Sequence, residues 1–254
     1  MVVDKIDKIM DDAQASMAAP RTKTLTAYWQ SVKQSLKPPV YRCPACQDSG
    51  WRLVETNGFM RAVPCECQDA ARIQRLIDLS RLSANELKFT LADCWNVNTR
   101  TKAAALLEHN GWLTLVGPFG TGKSFLLKAT VNEARLMGRV ALYITMADLL
   151  QHFKESFNTE TQTMNYTDLW KQVTTCSVLA IDEVDRYNPT PWAEEQLFRL
   201  ANERYQYWQE RATLWATNNF ESVVGYLRDR MSDGRFRIIR LNAASVRPKL
   251  RGDK

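Results

Sequence analysis

Histidine is nearly absent from this chain, with two among 254 residues, His109 and His152. Both lie far from the clustered cysteines, so neither is needed as a partner for whatever those thiols hold. Also lacking is any stretch near the roughly 18 uninterrupted apolar residues of a membrane span, which excludes a transmembrane helix. The opening residues, MVVDKIDKIMDDAQ, have no apolar core of a secretory signal, because Asp and Lys interrupt them every few positions. A cytoplasmic protein with no membrane partner is therefore expected. Thiols in that compartment stay reduced, so clustered cysteines read as metal ligands before disulfides. Internal repeats and low-complexity tracts are missing too, which sets aside repeat architectures.

What is present is an ordinary globular balance, 45% apolar and 24% charged. The length allows one large domain or two smaller ones. A formal charge of +6 favours a nucleic-acid partner or is ordinary variation among soluble proteins. Val3, Ile6, Met10 and Ala13, then Leu25, Trp29, Val32 and Leu36, fall at helical spacing and predict two short amphipathic helices. They must pack on the rest of the chain or on a partner, with Tyr28 and Trp29 as large contact residues.

Residues 41–68 hold four of the six cysteines, as Cys43-x-x-Cys46 and Cys65-x-Cys67. Four thiolates are the number a closed tetrahedral zinc site needs, and the insert reads as a hairpin turning at Asn57-Gly58. Zinc, an iron–sulfur cluster and incidental thiols remain open at this point. Cys94 and Cys176 are single and read as buried apolar fillers.

From Phe89 onward, apolar β-rich runs alternate with helical patterns. The runs are WLTLV, VALYIT, SVLAID, ATLWAT and FRIIRL, starting at residues 112, 140, 177, 212 and 236. Such alternation predicts a mostly parallel sheet with helices on both faces. After the first run, Gly117-Pro118-Phe119-Gly120-Thr121-Gly122-Lys123-Ser124 fits G-x-x-x-x-G-K-[ST] at every position. The glycines let the backbone curl so that its N–H groups face phosphate oxygens. Lys123 would reach the β- and γ-phosphates of ATP, and Ser124 would offer its hydroxyl to Mg²⁺.

SVLAID ends in Asp182-Glu183, a strand-end pair fitted to hold Mg²⁺ through Asp182 and to polarise an attacking water through Glu183. After the next strand, Asn218 could orient the same water; Asn219 competes for that role, and a simple turn is the alternative. Arg228, Arg230, Arg235, Arg237, Arg240 and Arg247 crowd the end of the chain. One of them, aimed at a neighbour's γ-phosphate, would stabilise transition-state charge in trans.

With these motifs the chain resembles the DnaC/DnaI-type replicative helicase loaders and the related IstB-type transposition helpers, both in the AAA+ branch that includes the initiator DnaA. The resemblance covers Leu82 to Arg247. It implies an α/β AAA+ fold with the helical lid missing or vestigial. The lid expectation follows from the short stretch after the last strand. It implies ATP hydrolysis with Lys123, Glu183, Asn218, Arg230 and Arg247 as catalytic residues. Arg230, in Asp229-Arg230-Met231, takes the arginine-finger position, and Arg247, in Ser245-Val246-Arg247, a sensor-2-like one, where the family has Tyr in place of Val246. The family carries an extra DNA-contacting helix after its second strand. Phe153, Lys154 and Phe157 occupy that place here, with core packing of one or both phenylalanines as the alternative.

Loaders of the DnaI type have a zinc-bearing N-terminal part that meets the helicase, and the IstB-type helpers lack it. A hexameric replicative helicase, single-stranded DNA and further copies of the chain are the implied partners. A transposition helper on duplex DNA and a nucleotide-gated switch with little hydrolysis are the competing readings. The expected organisation is an N-terminal helical region (1–40), a zinc module (41–68), a linker helix (69–88) and an AAA+ domain (89–254).

Overall fold

A computed structural model describes residues 43–157 and 165–242, apart from 48, 50 and 57. The two expected N-terminal helices, with Tyr28 and Trp29, and Arg247 at the other end, lie outside the described residues. By its contacts the chain divides into residues 1–62 and 63–254, a boundary inside β2.

Strands β1 (Trp51–Thr56) and β2 (Phe59–Pro64) form a two-stranded sheet. Gly58, at φ 79°, supplies the left-handed residue that a two-residue hairpin connection requires. Cys65 then caps helix α1 (Glu66–Ser80). The sequence reads this stretch as a connector. In the structure Leu76 is fully buried against the sheet, so α1 is part of the core.

The main sheet contains β3 (Gly111–Val116), β4 (Ala141–Thr145), β5 (Val178–Asp182), β6 (Ala212–Thr217) and β7 (Arg237–Arg240). The order is β4-β5-β6-β3-β7, with every pairing parallel. Each strand matches an apolar run of the sequence to within a residue or so. Helices α2 (Val97–His109), α3 (Lys123–Leu136), α4 (Met146–Glu155), α5 (Tyr166–Thr175), α6 (Pro191–Gln206) and α7 (Gly225–Met231) complete the domain.

Burial on both faces explains why β3 to β6 look continuously apolar, while a period of two still sorts their side chains. Trp112, Leu142, Ile144, Leu179, Ile181 and Trp215 point to one face, under α1 and α4–α7. Leu113, Leu115, Ala141, Tyr143, Val178, Ala180, Leu214 and Ala216 point to the other, under α2 and α3. Arg204 is fully buried beneath the first face and donates to Thr213 Oγ1 and to the carbonyls of Thr174, Cys176 and Ala212. It ties the amino ends of β5 and β6 to α6. Burial pulls its pKa down to about 10, still charged at neutral pH. Cys94 and Cys176 are buried, as expected of apolar fillers.

The order of the strands positions the site. From β3 the chain crosses to β4 at the edge, then steps back through β5 and β6 to β3's flank. Ligands in open parallel sheets bind at the carboxyl ends beside such a reversal. The loop after β3, the acidic end of β5 and the residues after β6 therefore meet at one rim.

Candidate nucleotide and metal sites

Between Val116 and Lys123 the backbone turns too tightly for side chains at two positions. A Cβ on Gly117 would lie 2.3 Å from the Leu241 carbonyl oxygen. One on Gly122, at φ 89°, would lie 2.3 Å from the Trp95 ring. Gly122 caps α3 in the left-handed conformation, so the helix's positive end opens onto the loop. Thr121 Oγ1 donates to the Pro118 carbonyl at 3.0 Å and closes the curl. Lys123 is buried, and its Nζ donates to the carbonyls of Gly117 (2.6 Å) and Pro118 (2.9 Å) and to Asn218 Oδ1 (3.0 Å).

A cavity of about 330 Å³ opens over this loop. Phe119, Gly120, Thr121, Gly122, Lys123 and Ser124 line it from the loop, and Asp182, Glu183 and Asn218 from the neighbouring strand ends. Asp182 is buried. Its Oδ2 accepts from Tyr143 Oη at 2.9 Å and its Oδ1 from the Glu183 amide at 2.9 Å. Burial and the Asp182 carboxylate push the Tyr143 phenol far up, so it stays a proton donor to that carboxylate. Glu183 has φ 51°, the left-handed region a side chain rarely adopts. Strain of that kind collects at functional sites, and here the turn sets Glu183 on the cavity wall. Ser124 and Asp182 line the same cavity, and a hydroxyl with a carboxylate is a donor set that fits Mg²⁺.

Of the two asparagines, Asn218 lines the cavity beside Lys123, while Asn219 caps a short turn by accepting from the Glu221 amide. Arg230 does not line this cavity.

Nothing in the sequence singles out Trp95 or Asp93, yet both line the cavity. They follow a turn whose placement depends on α3. Asn132 Nδ2 donates to the carbonyls of Glu86 (2.8 Å) and Phe89 (3.0 Å), and Lys128 pairs with Glu86 at 2.5 Å. The Lys128 hydrogen bond and those from Ser83 hold the Glu86 carboxyl at about 2, so Glu86 stays a carboxylate at neutral pH. Phe125 then supports Trp95, ring to ring at 6.3 Å. The only sequence signal was an aromatic residue upstream of the P-loop strand. On the other side, Arg186 lies 4.6 Å from the exposed Phe119 ring. The half-exposed Trp95 indole is a flat apolar face at the cavity mouth, suited to stack on a nucleobase. Trp95→Ala is expected to weaken ATP binding about tenfold with turnover at saturation little changed; calorimetry and a KM–kcat split check this.

The four cysteine sulfurs of the N-terminal module lie within 4.8 Å of one another. Thiolates on one zinc ion at 2.3 Å stand about 3.8 Å apart, so the spacing fits a single tetrahedral ion. A polynuclear cluster spreads its thiolates over several metals and needs a wider set. Turns brace both pairs. Gln47 N donates to Cys43 O at 2.9 Å, Ser49 Oγ to Cys46 O at 2.6 Å, and Gln68 N to Cys65 O at 2.9 Å. Cys65 and Cys67 also sit at the amino end of α1. The purified chain is expected to carry about one zinc, lost in Cys46→Ser by elemental analysis, with ATP binding unchanged.

The helix expected to contact DNA is α4, and it splits the three named residues. Phe153 is buried, packed between Tyr166 (5.6 Å) and Trp170 (5.5 Å), so it is a core residue and offers no stacking face. This corrects its assignment; α4 ends at Glu155, so Phe157 lies beyond the helix and is not held to the face that buries Phe153. Phe157 is exposed and stacked on Tyr166 at 4.6 Å, and Lys154 lies over Trp192 at 5.6 Å.

A parallel β4-β5-β6-β3-β7 sheet with a P-loop after β3 and an acidic pair at the end of β5 defines a P-loop nucleotide-binding protein. Residues 113–240 match the model of the ATPase family associated with various cellular activities (AAA), and the chain belongs to that family. It is 34% identical over 110 residues to an IS21-like putative ATP-binding protein of Bacteroides fragilis, a match covering 42% of this chain and 38% of that protein. It is 29% identical over 122 residues to the replicative helicase loader DnaC of Escherichia coli K12, covering 46% of each. The chain thus spans under half the length of these relatives. A crystal structure of the DnaC helicase loader superposes with a TM-score of 0.53 at 16% identity, over 63% of this chain and all of that one. Among the described residues, no helix is long and apolar enough to cross a membrane.

Proposed function

We propose that this chain is an ATPase that loads a hexameric replicative helicase onto single-stranded DNA. The observation that carries the reading is a combination: an ATPase domain similar to a helicase loader, preceded by a four-cysteine cluster able to hold zinc. The N-terminal region, residues 1–40 with the zinc module at 41–68, would grip the helicase. The AAA+ part would bind ATP, associate with further copies and engage the strand through Lys154 and Phe157.

At the cavity, the loop amides and Lys123 would bind the phosphates, with Lys123 giving up its carbonyl partners for phosphate oxygens. Ser124 and Asp182 would hold Mg²⁺, which neutralises charge on the β- and γ-phosphates when bound. Glu183 would accept the proton of the attacking water, and Asn218 would orient that water. Arg230 of an adjacent copy would approach the γ-phosphate, since within its own chain it is not among the cavity's lining residues. The test is capture of the full chain by the ring helicase of its host with ATP. Binding that disappears when residues 1–62 are removed supports the reading, and no binding to that helicase refutes it.

The IS21-like relative favours a second reading, a transposition helper that coats duplex DNA. Filaments on duplex DNA with ATP and without a helicase would support it.

A further inference from the structure

Arg230 has an unusual environment for a surface arginine. Two of its neighbours in the arginine-rich stretch are neutralised: Arg228 pairs with Glu221, and Arg235 with Asp233 at 2.6 Å. Among the described residues Arg230 has no carboxylate partner. Instead its guanidinium carbon lies 5.5 Å from the Phe198 ring, 5.5 Å from Tyr205 and 6.0 Å from Tyr226. Its Nη2 donates to the Asn202 side-chain carbonyl.

Phe198, Asn202 and Tyr205 are four and three residues apart on α6 and so share one face, while Tyr226 and Arg230 are one turn apart on α7. The rings are themselves fixed. Phe198 meets Tyr226 edge-on at 5.1 Å, and Tyr226 Oη donates to the Glu194 carbonyl at 3.1 Å. Tyr205 Oη donates to Asp233 at 2.7 Å.

Aromatic faces and a carboxamide oxygen orient a guanidinium without cancelling its charge, whereas a carboxylate would do both. An arginine that must stabilise charge developing elsewhere needs the first arrangement, held in place before the reaction begins. We propose that Asn202, with Phe198, Tyr205 and Tyr226, forms a cradle that positions Arg230 as a charge-uncompensated donor to the nucleotide site of an adjacent copy. This rests on Arg230 acting in trans. Asn202 is a positioning residue: it is not among the residues lining the nucleotide cavity, and works through Arg230.

Asn202→Asp separates positioning from structural support. The carboxylate accepts the same hydrogen bond, so melting temperature is expected to stay equal or rise. It also neutralises the guanidinium, so kcat is expected to fall about tenfold or more while KM for ATP moves less than about twofold. Mixing full-length Asn202→Asp with full-length Glu183→Gln is expected to restore turnover. The first keeps an intact nucleotide site and the second an intact arginine donor.

A kcat within about twofold of the parent overturns the cradle. So does a lowered kcat that mixing does not restore while Arg230→Ala, in the same mixture, is restored. If Arg230→Ala is not restored either, the trans reading of Arg230 falls and takes the cradle with it.

Discussion

Replacing Glu183 by glutamine is expected to lower ATP turnover by about a hundredfold or more while ATP stays bound. The carboxamide keeps the size and most of the polarity of the side chain but cannot accept the proton of the attacking water. Nothing else in the cradle changes. Lys123 and the loop retain their places, and Asp182 keeps both of its hydrogen bonds, because the one from position 183 comes from the backbone amide. The left-handed backbone at 183 is neither relieved nor worsened, since glutamine meets the same steric limits as glutamate. Single-turnover and steady-state assays beside a nucleotide-retention measurement check this. Equal turnover in the variant would remove Glu183 from the chemistry and leave the P-loop as a nucleotide-gated switch.

Arg230→Ala is expected to cost about a thousandfold in turnover with ATP affinity changed only a few-fold. The distinction comes from placement. Lys123, Ser124 and the loop amides surround the cavity within one chain, so ground-state binding does not need Arg230. On the proposed reading the arginine's contribution would fall on charge in the transition state, delivered by a neighbour. The fold should tolerate the change, since the guanidinium is held by ring contacts and one hydrogen bond at a half-buried site, each worth about 1 kcal/mol. A loss of turnover that tracks loss of folded protein by circular dichroism would assign Arg230 to stability instead.

The sheet was legible because strands buried on both faces must read as apolar runs. The cradle was legible because a phosphate loop fixes residue types at fixed spacing. The remainder depends on contacts across space that spacing does not encode. Trp95 reaches the cavity only because Asn132 and Lys128 on α3 fasten the preceding turn. Phe153 and Phe157 look equivalent at four residues apart, yet one ring is buried and the other exposed. The six arginines are indistinguishable as letters. That Arg228 and Arg235 are paired with carboxylates and Arg230 is held by rings is decided by where Glu221, Asp233 and the α6 aromatics fall in the fold.

Central to the account is a nucleotide site completed by a second copy of the chain. ATP turnover per chain, followed across a wide range of chain concentration, tests this most directly. Turnover per chain that climbs steeply as copies associate and then levels off is the expected result. A value independent of concentration down to dilutions at which the chain sediments as a monomer would contradict it.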